Sequence, residues 1–69
     1  MNNPLYDVEH LLETNTVTPL AAIAAKQWLL THNVSIDHVF YDFIYEVLYI
    51  EYGDNWIGVE PDGAIHGEN

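Results

Sequence analysis

The chain has 69 residues, enough for one domain with a small core and a large wet surface. Eleven acidic residues stand against one basic residue, Lys26, and the formal net charge of −10 disfavours direct binding to nucleic acid or to an anionic membrane. The absence of cysteine excludes disulfides and thiolate metal sites, while a 49% hydrophobic content argues against intrinsic disorder.

Asn3-Pro4 opens the first predicted element. Asn can cap free backbone N–H groups, and Pro at the first helical position gives up no needed hydrogen bond. Leu5, Val8, Leu11 and Leu12 then fall on one face, which predicts a helix at about residues 4–13. Thr18-Pro19 repeats the start signal. The apolar segment that follows includes Ile23, Ala24, Trp28 and Leu30, with Asn33 as a left-handed C-cap. It predicts a central helix at about 19–32. Only Lys26 and Gln27 are clearly polar along it, so it should be covered on most sides.

Ser35 is a third N-cap candidate, and Ile36, Phe40, Phe43, Ile44, Val47 and Leu48 recur at helical spacing. Gly53 suits the position after a helix end. A third helix at about 36–52 is therefore expected. The β-branched and aromatic density from Val39 to Tyr52 pulls the other way, towards strands. Beyond it, Glu60-Pro61-Asp62-Gly63 is a turn signal between Trp56-Ile57-Gly58-Val59 and Ala64-Ile65-His66 and predicts a short hairpin, with Trp56 and Ile57 packed on the helices. The fold class expected is mainly α, three helices with a C-terminal β-hairpin or extended tail. The alternative is α+β, two or three helices followed by a short antiparallel meander from about residue 46. Residues 1–69 form a single acidic domain. No apolar run approaches the ~18 residues of a membrane span. Met1 to Asp7 lacks the basic start of a secretory signal, so a cytoplasmic location is expected.

Charge is unevenly divided along the chain. Residues 37–69 carry Asp37, Asp42, Glu46, Glu51, Asp54, Glu60, Asp62 and Glu68 with no Lys or Arg. On the expected third helix, Asp42 and Glu46 would lie about 6 Å apart along one face. That is comparable to the spacing of phosphates on a nucleic-acid strand, about 3.4 Å of axial rise each plus a radial offset. Glu51 and Asp54 would extend the field. Tyr41, Tyr45, Tyr49 and Tyr52 recur beside these acids, and tyrosine is favoured at interfaces. Asp42, Glu46, Glu51, Asp54, Tyr45 and Tyr49 are accordingly the expected partner-binding residues. The competing reading for each is a solvated face or core packing.

Two further constellations are weaker. His38, Asp42 and Glu46 would share a helical face and are all ligand types, but no di-iron or calcium-loop pattern occurs, and no metal or cofactor is expected. Ser35, Asp37 and His38 lie close in sequence, yet triad members normally meet through the fold. Without an elbow motif around serine or a phosphate-cradling glycine loop, no enzyme activity is expected.

In size, scarcity of Lys and Arg, and acids such as Asp42, Glu46, Glu51 and Asp54 beside aromatics, the chain resembles small acidic inhibitors encoded by phages and mobile elements. These include anti-restriction and anti-CRISPR proteins and uracil-DNA glycosylase inhibitors that mimic DNA. The resemblance implies an inhibitor that binds the basic DNA- or RNA-binding surface of a target, such as a host-defence nuclease or a DNA-repair enzyme, and excludes nucleic acid from it. The alternative function is a protein–protein adaptor or homodimeric module that acts through its apolar surface.

Overall fold

A computed structural model describes residues 3–67. The elements run α1 (Pro4–Glu13), α2 (Pro19–Thr31), β1 (His38–Asp42), β2 (Val47–Tyr52), β3 (Asn55–Val59) and β4 (Ile65–Gly67). The four strands form one antiparallel sheet in chain order. The fold is thus α+β, and the mainly-α expectation with three helices is corrected. The alternative names the class found but starts its sheet too late, at about 46 and not at 38.

Both helices begin at their sequence signals. The Asn3 side chain accepts from Leu5 N at 3.0 Å, and Thr18 Oγ1 accepts from Ala21 N at 3.1 Å. Each satisfies a donor that the first turn leaves free. Thr18 also donates to the Pro61 carbonyl, which ties the start of α2 to the β3–β4 turn. The end of α2 differs from expectation: the C-cap is His32, in an extended conformation, and not Asn33.

The expected third helix is instead β1, a four-residue turn and β2. Asp42 pairs with Val47, Phe40 with Tyr49, and His38 with Glu51. Several local factors favour this outcome. Val39, Phe40, Tyr41, Val47, Tyr49, Ile50 and Tyr52 are strand formers, and like charges at Asp42 and Glu46 would oppose a helix. Burial supplies the rest. As strands, the segment alternates Tyr41, Leu48, Ile50 and Tyr52 towards the helices, and Leu48 and Ile50 become fully buried. A third helix would have kept Phe43 and Ile44 on its apolar stripe, yet they lie in the turn, 76% and 86% exposed. Gly53 does not end a helix. With φ +60°, it is the first residue of the two-residue Gly53–Asp54 turn that closes β2 on β3.

The C-terminal hairpin forms where the Pro-Asp-Gly signal places it. Gly63 N donates to the Glu60 carbonyl and Glu60 N to the Ala64 carbonyl, both at 2.8 Å. Val59 then pairs with Ile65 and Gly58 with His66.

The core lies between the helices and one face of the sheet. Val8, Ala21, Ala22, Ala25 and Trp28 from the helices meet Leu48, Ile50, Ile57 and Val59, with Val17 from the connection. Small alanines on α2 let it sit close to its neighbours. Lys26 bonds to Glu9 and links α2 to α1. Ile57 packs inward as expected, but Trp56 does not: it stands on the opposite face.

Candidate protein-binding face

A four-stranded sheet covered by helices on one side leaves its other side to solvent. Alternation assigns that outer face. From β1 it takes His38, Phe40 and Asp42; from β2, Val47, Tyr49 and Glu51; from β3, Trp56 and Gly58; from β4, His66. Adjacent strands lie about 4.8 Å apart and same-face residues about 6.7 Å apart along a strand, so these side chains form a grid.

The centre of the grid is aromatic. Phe40 and Tyr49 are directly opposite each other, with ring centres 5.4 Å apart and planes inclined by 26°. Trp56 meets Tyr49 edge-on at 5.6 Å and meets the His66 ring at 6.3 Å. A row of rings therefore crosses all four strands. Gly58 makes the row tight, because a Cβ there would lie 2.9 Å from Val47 Cγ1 and 3.4 Å from both Tyr49 and His66.

The margins are acidic. Glu51 is the cross-strand neighbour of both His38 and Trp56, Asp42 ends β1, and Glu60 follows β3. His38 Nδ1 lies 3.3 Å from Glu51 Oε1, and His66 Nε2 lies 3.1 Å from Glu60 Oε2. His38 is largely exposed and the other three side chains half-exposed, so these pairs add little stability. Phe40, Asp42, Tyr49, Glu51 and Trp56 line an open groove of about 390 Å³. The face bears no Lys or Arg, since Lys26 sits on α2 behind the sheet.

The turn between β1 and β2 extends this surface. Phe43, Ile44 and Tyr45 are three consecutive large apolar side chains, with Tyr45 73% exposed. Asp42 Oδ1 accepts from Ile44 N at 2.8 Å and from Tyr45 N at 3.1 Å, which sets the turn. Glu46 closes it at φ +58°, a conformation that L-residues other than Asn and Asp rarely take.

The six expected binding residues are only partly brought together. Asp42, Tyr49 and Glu51 share the outer face, and Tyr45 lies on the adjoining turn. Glu46 is displaced to the helix side, where it borders a small pocket with Thr16, Thr18, Tyr41 and Pro61. Asp54 lies in the turn at the opposite end of β2, about 20 Å along the strand from Glu46. The Asp42–Glu46 helical stripe, with its phosphate-like spacing, does not exist. Nor are the acids uniformly uncompensated. Asp37 Oδ2 accepts from Gly53 N at 2.8 Å and Asp62 Oδ1 from Ala64 N at 2.9 Å, so several carboxylates serve the turns beside them.

Phe40, Trp56 and His66 are face residues outside the expected set: helical spacing puts Phe40 on an apolar stripe, and the expected hairpin holds Trp56 and His66, with Trp56 packed on the helices. The available signals were the strand-forming residues of 38–42 and 47–52 and the Gly53-Asp54 turn signal that follows the alternating 47–52. His38, Asp42 and Glu46 do not converge on a point, and among the described residues no group of three His, Asp or Glu side chains is placed to hold a metal. Asp37 is taken up by the Gly53 amide and His38 faces Glu51, so neither is joined to Ser35.

A second exposed surface lies on α2. Leu20, Ile23 and Leu30 point outward, the last 71% exposed, on a helix with no carboxylate. Among the described residues, no helix is long and apolar enough to cross a membrane. Comparison with known proteins finds no matching family model, no matching curated protein and no matching solved structure.

Proposed function

We propose that the chain is an acidic binding protein whose outer sheet face covers a basic, nucleic-acid-binding surface of another protein and keeps nucleic acid away from it. The carrying observation is the composition of that face: a row of aromatic rings bordered by Asp42, Glu51 and Glu60, with no Lys or Arg among them. Aromatic centres with charged rims are what protein interfaces favour. The exposed Phe43-Ile44-Tyr45 turn supplies an apolar projection beside it. The net charge of −10 speeds encounter with a cationic partner and repels nucleic acid itself. Binding, not catalysis, is the role this supports, and acidic inhibitors from phages and mobile elements remain the class it resembles.

The test is competition. A basic partner retained by the immobilised protein at low salt is isolated and loaded with a labelled oligonucleotide. The protein should release the oligonucleotide, less so as salt rises. A complex in which the partner keeps its nucleic acid would sink the reading.

A second reading rests on α2. Leu20, Ile23 and Leu30 form an apolar surface without carboxylates, the part of a strongly acidic molecule where two copies could approach with least repulsion. Sedimentation should then show a dimer that Ile23→Gln with Leu30→Gln converts to monomer. A monomer at all concentrations excludes it.

A further inference from the structure

We infer that the groove on the outer face is a seat for an arginine side chain of the partner. This deepens the proposed function and rests on it for the kind of partner, but the groove makes its own prediction. Its walls are Phe40, Tyr49 and Trp56, and its two ends are Asp42 and Glu51. Phe40 stacks on Tyr49 and Trp56 stands inclined to Tyr49 by 66°, so the open ring surface is that of Phe40 and Trp56, 43% and 42% exposed. A planar guanidinium stacks on such surface, is attracted by the ring faces and loses little hydration. An ammonium is a compact, strongly hydrated charge that gains less from a flat wall.

The carboxylates complete the match. Glu51 lies beside Trp56 across the β2–β3 pair, and His38 engages its Oε1 only. Among the described residues Oε2 has no partner. Asp42 gives Oδ1 to the turn amides, and its Oδ2 likewise has no partner among the described residues. An arginine laid across Trp56, the cross-strand neighbour of Glu51, thus meets an open oxygen of Glu51 in a charge-assisted bond. A base stacked on the same rings would bring a phosphate towards Glu51 and Asp42, so single-stranded nucleic acid is disfavoured there.

The test uses the full chain with hexa-arginine, hexa-lysine and a hexathymidine oligonucleotide, titrated by calorimetry at 150 mM salt. Hexa-arginine should bind about tenfold more tightly than hexa-lysine, a ratio in the range that cation–π contacts supply. Glu51→Gln should reduce hexa-arginine affinity about tenfold, as expected for loss of a charge-assisted bond. Glu13→Gln on α1 removes the same charge far from the sheet and should change it less than about twofold, a screened long-range effect. Trp56→Phe keeps a ring, and Trp56→Ala removes it. Only the alanine variant should bring the arginine-to-lysine ratio near one, with amide spectra checking the fold of both. Equal binding of the two peptides, equal losses for Glu51→Gln and Glu13→Gln, or tight binding of the oligonucleotide would each overturn the seat. These outcomes separate from the wider function. A seat that fails while oligonucleotide release from a partner persists leaves the inhibitor reading intact. A seat that holds while release fails removes the inhibitor reading alone.

Discussion

The two faces of one sheet share strands and hydrogen bonds yet differ in burial and composition. The inner face holds Leu48, Ile50, Ile57 and Val59, nearly without solvent contact, against Val8, Ala22 and Ala25. The outer face holds Phe40, Tyr49 and Trp56 in partial exposure, with carboxylates at its rim. The fully buried inner residues are aliphatic, and the tyrosines beside them, Tyr41 and Tyr52, are only partly buried. Outer residues are large, flat and interleaved with charge. In so small a domain burial at the inner face is the main source of stability, while the outer face stays partly exposed.

The largest expected effect lies inside. Leu48→Ala should lower unfolding free energy by about 2–5 kcal/mol, as for other buried leucines, measured by urea denaturation. A loss below about 1 kcal/mol would mean that the helices do not close on this face.

Gly58→Ala probes where the comparison should break. Gly58 belongs to the outer face, yet an added methyl would press on Val47, Tyr49 and His66. The expected cost is about 1–3 kcal/mol from overpacking, read as a lower Tm. A neutral result would show that the aromatic row can shift freely.

At the turn between the faces, Glu46 holds a positive φ that glycine adopts without strain. Glu46→Gly should raise stability by up to about 1 kcal/mol, since the left-handed conformation costs a non-glycine residue about that much. Destabilisation by this change would indicate that the Glu46 side chain contributes to the fold.

The smallest effect on stability is expected at the outer rim. Glu51→Gln should alter unfolding free energy by less than about 1 kcal/mol, because its pairing with the largely exposed His38 is open to solvent. Its effect should be on partner binding. A large stability loss with unchanged binding would reverse the roles assigned to the two faces.

Some of this architecture was legible beforehand. Asn3-Pro4 and Thr18-Pro19 act through local chemistry, a side-chain acceptor followed by a preset φ, and both helices start there. Pro61-Asp62-Gly63 likewise encodes its turn locally. The segment from Ile36 to Tyr52 was different, because Phe40, Phe43, Ile44, Val47 and Leu48 satisfy helical spacing while much of the same stretch alternates as strands. Of the expected binding residues, Asp42, Tyr49 and Glu51 share a face in the fold, while Glu46 and Asp54 go elsewhere. Spacing on an assumed helix could not separate them.

By itself, then, the sequence determined the helix starts, the C-terminal turn, the need for an apolar core and the strong negative charge. Each depends on composition or on neighbours within a few residues. Only the tertiary structure decided that residues 38–52 pair as strands, and with that which acids stand beside Tyr49 and Trp56. Strand pairing between distant segments depends on which surface α1 and α2 offer for burial, and a one-residue change of register would exchange the two faces.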